Sequence, residues 1–497
     1  MNPRAIVIGS GFSGLAAACT LAHRGYRVTV IEKNHDTGGR ARAFRAEGFV
    51  FDMGPSWYWM PEVFDEFFAR FDKKVSDYYD LVRLDPSYRV FFRDHEADIP
   101  AGKEPLKALL DTMEPGAGAQ LDRFLAEAKV KYETGMGEFV WKPSLSVMEF
   151  AEWRLLRETF RLQLFTNMSA HLRRFFSNPE IIQLLEFPVL FLGAKPERTP
   201  ALYSMMNYAD IELGTWYPRG GMYKIAEGMT RLARELGVEF ITGSAAERIP
   251  VNQDGFAEGV IVNGELVGAD VIIGAADYHH IESRLLEPSK RSYSEKYWDK
   301  RVMSPSSLLF YLGVNKKVKG LLHHNLFFDE PFGEHASEIY DEPRWPSRPL
   351  FYVCANSKTD PEAAPEGMEN LFILIPVAPG LTSTEEQREE YLNVVLDRLE
   401  KRTGELIRGH IIYKRSFAHE EFISEYHSFK GNAYGLANTL LQTAFLKPRM
   451  RSKKVSNLFF AGQLTVPGPG VPPSLISGQL AAREADAYLH ELNPVTA

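Results

Sequence analysis

"AIVIGSGFSGLAAACTLAHRGYRVTVIE", residues 5–32, is the stretch whose reading decides the fold. The apolar run at 5–8 reads as a buried strand, the alanine-rich run from Phe12 through Leu21 as a helix, and "RVTVIE" as a second strand. Between the first strand and the helix stands Gly9-Ser10-Gly11-Phe12-Ser13-Gly14. In such a setting Gly9 permits a tight turn, Gly11 lets the backbone approach a pyrophosphate, and Gly14 lets helix and strand pack closely. The helix N-terminus then faces the phosphates and favours their charge. Glu32 closes the second strand near the ~20-residue offset at which an acid accepts hydrogen bonds from a ribose. A glycine-rich turn alone is weak evidence, because such turns also serve packing. The order strand, turn, helix, strand, acid makes it strong.

The same residues imitate an export signal, with a charged start at Arg4, an apolar middle and Cys19 placed like a lipoprotein cysteine. Three glycines at fixed spacing interrupt that run, and cleavage would orphan the second strand. No other apolar run approaches the roughly 18–20 residues of a membrane span. The expectation is a chain neither exported nor membrane-spanning.

The chain has 497 residues, 45% hydrophobic and 25% charged, enough for two or three lobes. A net charge of −8 gives no general attraction to nucleic acid, although a local basic face could still meet an anionic membrane. The cysteines, Cys19 and Cys354, have neither the number nor the spacing of a disulfide framework or a zinc site, so a reducing compartment and no metal are expected. No internal repeat and no nucleophile triad stands out.

Further motifs narrow the dinucleotide. Gly38-Gly39-Arg40 follows Glu32 at a distance suited to a second glycine turn, with Arg40 as a cation or simply a surface arginine. "GFVFDMGPS" gives a short strand ending in Gly54-Pro55-Ser56, and the chain closes with the proline-rich "NLFFAGQLTVPGPGVPPSLISG", residues 457–478. The series "VIGSGFSGLAAA", "VIEKNHDTGGRA", "FDMGPS", "WYPRGGMYKIAEGMTRLARELGVEF" and that closing stretch resembles the bacterial-type phytoene desaturases and related carotenoid desaturases of the flavin amine oxidase superfamily. The resemblance runs from first residues to last in the family's order. The first two motifs are shared by many flavoproteins, and the last two are much more specific.

The resemblance implies an α/β fold: a Rossmann-like FAD-binding domain, a mixed-sheet substrate domain and a helical membrane-contacting lobe. Its implied boundaries are 1–105, 211–290 and 441–497 for the FAD domain, 106–210 for the helical lobe and 291–440 for the substrate domain. The implied FAD contacts are Gly9, Gly11, Phe12, Ser13, Gly14, Glu32, Lys33, Gly39, Arg40, Gly54, Pro55, Ser56 and Ala246. At the C-terminus they are Gly462 and Gln463 near the phosphate and ribityl region, and Gly470, Val471 and Pro472 beside the isoalloxazine. Two departures matter: Gln463 stands where many superfamily members carry an acid, and Ala246 where a larger β-branched residue is common. The prolines fix φ and remove N–H donors, so that loop can lie against an apolar substrate without unpaired groups.

Other segments admit two readings. "EFAEWRLLRETFRLQLFTNMSAHLRRFF" places Trp153, Leu156, Phe160, Leu164, Met168, Leu172 and Phe175 at helical spacing, with arginines elsewhere round the helix. It could lie on a membrane or face the core, and the resemblance favours the membrane. "LEFPVLFLGAKPE", "SLLFYLGVNKKV", "PLFYVCANS" and "NLFILIPVAPGL" read as apolar strands able to wall a long tunnel. Trp57-Tyr58-Trp59 could stack on a polyene or pack a lid. Asp277, at a strand end, reads as a cap in preference to a base, and Arg219 as structural.

The implied activity is insertion of C=C bonds into a linear carotene, phytoene toward lycopene in the first place, with a C30 or late-pathway carotenoid as alternative. An oxidase of a soluble amine, a flavin-dependent carotenoid isomerase and a carotenoid carrier are the other classes. Glu212, in a segment expected to run beside the flavin, is the candidate base. Without a second GxGxxG, no NADPH is indicated, and oxygen or a membrane quinone is the expected acceptor. The expected location is cytoplasmic, at the inner face of the cell membrane.

Overall fold

The computed structural model describes residues 2–143, 166–190, 193–439, 442–443 and 446–492. A five-stranded parallel sheet forms the first layer, in the order Leu458–Phe460, Val271–Gly274, Arg4–Ile8, Arg27–Ile31, Glu239–Ile241. Three separate stretches of chain therefore build one sheet. Its central strand Arg4–Ile8 is apolar over four residues because strands flank it and helices cover it. Gly9, with φ of +99°, turns the chain out of this strand and into the helix Phe12–His23.

The C-terminal helix, Val471–Leu492, lies against Phe12–His23. A Cβ at Gly478 would stand 2.0 Å from the Ser13 carbonyl oxygen, so the two backbones touch there. Pro472 and Pro473 fall in its first turn, where their missing N–H groups are not needed.

The second layer is a seven-stranded sheet in the order Ile411–Phe417, Ser306–Val314, Glu369–Val377, Phe351–Cys354, His324–Phe327, Tyr88–Phe91, Glu96–Ile99. All its pairs are antiparallel except the parallel pair of His324–Phe327 with Tyr88–Phe91. Ser306–Val314 and Glu369–Val377 pair over nine residues and are buried almost throughout. Alternate side chains serve two cores: Leu308, Phe310 and Ile373 pack with Leu392 and Leu396 of the helix Glu385–Thr403, while Leu309, Phe372 and Leu374 face the first layer.

Three expectations are corrected. Residues 88–99 do not belong to the dinucleotide layer: they extend the far sheet, because the edge of His324–Phe327 pairs with Tyr88–Phe91. "LEFPVLFLGAKPE" begins as helix, not strand: Pro179–Leu190 is helical, with Ile181, Leu184, Leu185 and Val189 buried at helical spacing. Of the arginine-rich stripe, Met168, Leu172 and Phe175 are buried, Phe175 against Phe124 at 5.6 Å between ring centroids, so this end faces the protein. Trp153, Leu156, Phe160 and Leu164 lie outside the described residues. Among the described residues no helix is long and apolar enough to cross a membrane.

Candidate functional site

One cavity of about 820 Å³ runs from the first glycine turn into the space between the layers. Gly9, Gly11, Phe12, Ser13, Glu32, Lys33, Gly39, Arg40, Gly54, Pro55, Ser56, Ala246, Gly462, Gln463, Gly470, Val471 and Pro472 all line it. Thus residues up to 463 positions apart converge on a single wall. Gly14 does not line it but explains its shape: a Cβ there would stand 1.9 Å from the Gly9 carbonyl oxygen. Gly11 is the complement, since a Cβ there meets nothing within 4 Å and would project into free space.

The acid at the end of the second strand is oriented by its neighbours. Glu32 accepts from the Ser10 N–H at 2.9 Å and its hydroxyl at 2.7 Å on one oxygen, and from the Asn34 N–H at 2.9 Å on the other. These bonds hold the buried carboxylate against the glycine turn. Gly38 N–H donates to the Ser10 carbonyl at 2.9 Å, which brings the second glycine turn beside the first. A Cβ at Gly39 would lie 3.2 Å from Gly11 Cα.

Arg40 is a half-buried cation of the site. Its guanidinium lies 5.2 Å from the Tyr426 ring centroid and donates to Ser428, while its Nε has no partner. Burial lowers its proton affinity, partly offset by the charges of Asp277 and Tyr426. With its amide oxygen turned toward Arg40, Gln463 accepts from Nη2 at 2.9 Å and donates to the Tyr434 carbonyl at 3.2 Å. Lys33 donates to the Ser424 carbonyl, and burial lowers its proton affinity too. At the far end, the Gly462 N–H donates to Ser477 Oγ at 2.9 Å and Ser477 donates to the Val466 carbonyl at 2.6 Å. The C-terminal helix thereby fixes the proline-rich loop.

Asp277 is a helix cap, accepting from the His280 N–H at 3.1 Å and the Phe429 N–H at 3.2 Å. Glu212, the candidate base, lies away from the cavity. It sits on the π-type turn Ala209–Leu213, does not line the cavity, and pairs with Lys103 at 3.2 Å with both side chains about one-third exposed. Two residues earlier, Asp210 is the buried carboxyl: it accepts from Thr215 Oγ1 at 2.8 Å and Tyr88 OH at 3.0 Å, and burial pushes it up to about 6. Thr215 in turn accepts from the Trp59 indole at 2.8 Å, and Trp59 lines the cavity with Trp57. Sequence reading missed this network, since neither residue carries a motif. It also missed the segment 422–434, whose Glu425, Tyr426 and Ser428 close over Arg42 and Arg40.

The family description "flavin containing amine oxidoreductase" matches residues 12–485. Over 478 residues the chain is 41% identical to the carotenoid 3,4-desaturase of Haloarcula japonica, covering 96% of each. It is 33% identical over 504 residues to the zeta-carotene-forming phytoene desaturase of Myxococcus xanthus, covering 99% of this chain and 96% of the relative. The chain belongs to the carotenoid desaturases of the flavin amine oxidase superfamily. It is an FAD-dependent oxidoreductase of CH–CH bonds.

Solved structures agree on the fold. Putrescine oxidase bound to putrescine superimposes with a TM-score of 0.62 at 16% identity, covering 98% of this chain and 99% of that one. An oxidoreductase from Methanosarcina mazei gives 0.62 at 17% identity, covering 97% and 100%. At such identity these show the fold alone.

The site residues fit FAD on their own terms. Free space at Gly11, an oriented Glu32 and an arginine whose buried Nε–H has no partner offer an anion contact and a ribose contact in one cavity. Gly9 to Ser13, Glu32, Arg40 and the 462–472 loop would hold the cofactor.

Proposed function

We propose that this desaturase inserts C=C bonds into a linear carotenoid. The observation that carries the reading is the continuity of the cavity: beyond the residues fitted to FAD it is walled by Trp57, Trp59, Met136, Met205, Phe372 and Leu374. Such a wall suits a hydrocarbon chain, and a soluble amine would leave its charge unpaired there.

Bound FAD supplies a two-electron acceptor for the hydride of an allylic C–H. The protein's part is to hold the polyene in a dry slot and to leave the departing proton a route. Among the described residues, the carboxylates lining the cavity are Glu32, Asp277 and Glu425. Each is already engaged, by Ser10 and Asn34, by backbone N–H groups, and by Arg42 at 2.7 Å. This arrangement supports proton loss helped by delocalised charge on the polyene, with no dedicated carboxylate base among the described residues. The start of the helix at Val471 favours negative charge at that end of the cavity.

Phytoene conversion toward lycopene is one form of this reaction; the 41% identity with a 3,4-desaturase, against 33% with a phytoene desaturase, favours a later carotenoid. The water-insolubility of any such substrate supports delivery from a membrane face, and the single dinucleotide motif supports oxygen or a quinone as acceptor. FAD-loaded protein should be incubated in liposomes with phytoene, a C30 analogue, lycopene and a hydroxylated carotenoid separately. Extracted pigment with longer conjugation in one arm identifies the substrate; unchanged pigment in every arm refutes the reading.

A further inference from the structure

Three buried side chains with metal-ligand chemistry meet in the seven-stranded sheet, away from the glycine turns. His323 and His324 stand at the start of the strand His324–Phe327, and Cys354 ends the neighbouring strand, opposite His324 in the antiparallel register. One nitrogen of each imidazole and the Cys354 sulfur all lie within 4.8 Å of one another. Around a small cation with metal–nitrogen bonds near 2.0–2.1 Å and a metal–sulfur bond near 2.3 Å, such atoms sit about 3.3–3.8 Å apart. Side-chain shifts of about 1 Å or less close that gap.

Both rings are held from behind. His323 Nδ1 shares a hydrogen bond of 2.8 Å with Thr359 Oγ1, and His324 Nδ1 one of 2.6 Å with the Tyr352 hydroxyl. In each ring Nε2 is buried without a partner. A hydroxyl on one nitrogen and nothing on the other is how metal-ligating histidines are oriented, whereas two buried nitrogens left unpaired would be costly. Cys354 follows His324 by 30 positions, and it is the pairing of their strands that brings them together.

We propose that His323, His324 and Cys354 bind one thiophilic cation, Zn(II) or Cu(I), which ties two strands of the sheet together behind the cavity wall. Binding breaks the Cys354 S–H bond: the sulfur lone pair forms the metal–sulfur bond, the proton leaves to solvent, and no atom changes oxidation state. Burial pushes the free thiol up to about 12, so the cation must drive that loss. With Cu(I) the thiolate leaves the site neutral. With Zn(II) one positive charge remains, and Asp52, which lines the small void beside Cys354, is placed to offset it. The His324 ring stacks on Trp57 at 4.0 Å and 11°, so the cation would also fix a side chain that lines the cavity.

The test uses FAD-loaded, reduced, chelator-treated full-length protein, offered Zn(II) or, without oxygen, Cu(I), then desalted and assayed for metal. One ion per chain is expected in at least one arm, which also tells zinc from copper. Retention should fall at least about tenfold in Cys354→Ser and His323→Gln with FAD content unchanged. Should either variant lose FAD, Co(II) in the wild-type protein decides. A thiolate-to-metal charge-transfer band, kept in Cys19→Ala, supports the site. No retained ion in either arm, equal retention in the variants, or no band would overturn it.

Discussion

At the scale of single residues, Gly11 and Gly14 separate cofactor binding from folding. Gly11 has φ of −68°, open to any residue, and free space at its Cβ position, so Gly11→Ala should fold with an unchanged thermal midpoint without FAD. Its methyl group would occupy cofactor space, so FAD affinity should fall at least about tenfold, measured by fluorescence titration. Gly14→Ala would set a methyl 1.9 Å from the Gly9 carbonyl, and should lower stability by about 1–3 kcal/mol even without FAD. Asp210 makes a second residue-scale prediction. Burial raises its folded pKa to about 6, above the ~3.9 of an unfolded aspartate, so its stability contribution is full below about pH 4 and lost as pH rises through about 6. Asp210→Asn should therefore gain on the wild type by about 1–3 kcal/mol between pH 4.5 and pH 7, read from urea unfolding. A constant difference contradicts the assignment. The glycines were legible in the sequence because their spacing encodes backbone geometry. Asp210 was not, because its role depends on Thr215, Tyr88 and burial, and the choice of Glu212 went to a neighbour that ends paired with Lys103 near the surface.

Among elements, the contact between the helices Phe12–His23 and Val471–Leu492 joins the two ends of the chain. Ser477 is its polar link, buried and bonded to both the Gly462 N–H and the Val466 carbonyl. Ser477→Ala strands these groups and should cost about 1–3 kcal/mol. Because both partners belong to the loop that lines the cavity, FAD should dissociate faster as well, seen in stopped-flow release. A loss of stability with unchanged release would confine Ser477 to packing. The closing motif was legible as a rigid turn because its prolines leave the backbone so few conformations. The helix at Pro179–Leu190 was misread as a strand because a short apolar run looks alike in both periods.

For the whole molecule, the cavity draws on many stretches of chain, among them four far apart in sequence: 9–13, 38–56, 422–434 and 462–474. FAD should protect all four from amide hydrogen exchange together, with protection in the N-terminal stretches alone contradicting a shared site. The three-part parallel sheet was legible in advance, since each of its pieces carries a local motif. The transfer of residues 88–99 to the far sheet was not, because it depends on pairing with a strand more than 200 residues away. A flavin and a carotenoid held side by side in one cavity would exchange electrons directly. The most direct test mixes FAD-loaded protein without oxygen with the carotenoid that the liposome assay selects, following flavin absorbance and pigment in one cuvette. Bleaching of the flavin in step with a red shift of the polyene is the predicted result. A flavin that stays oxidised while the pigment changes would point to isomerisation and contradict that direct exchange.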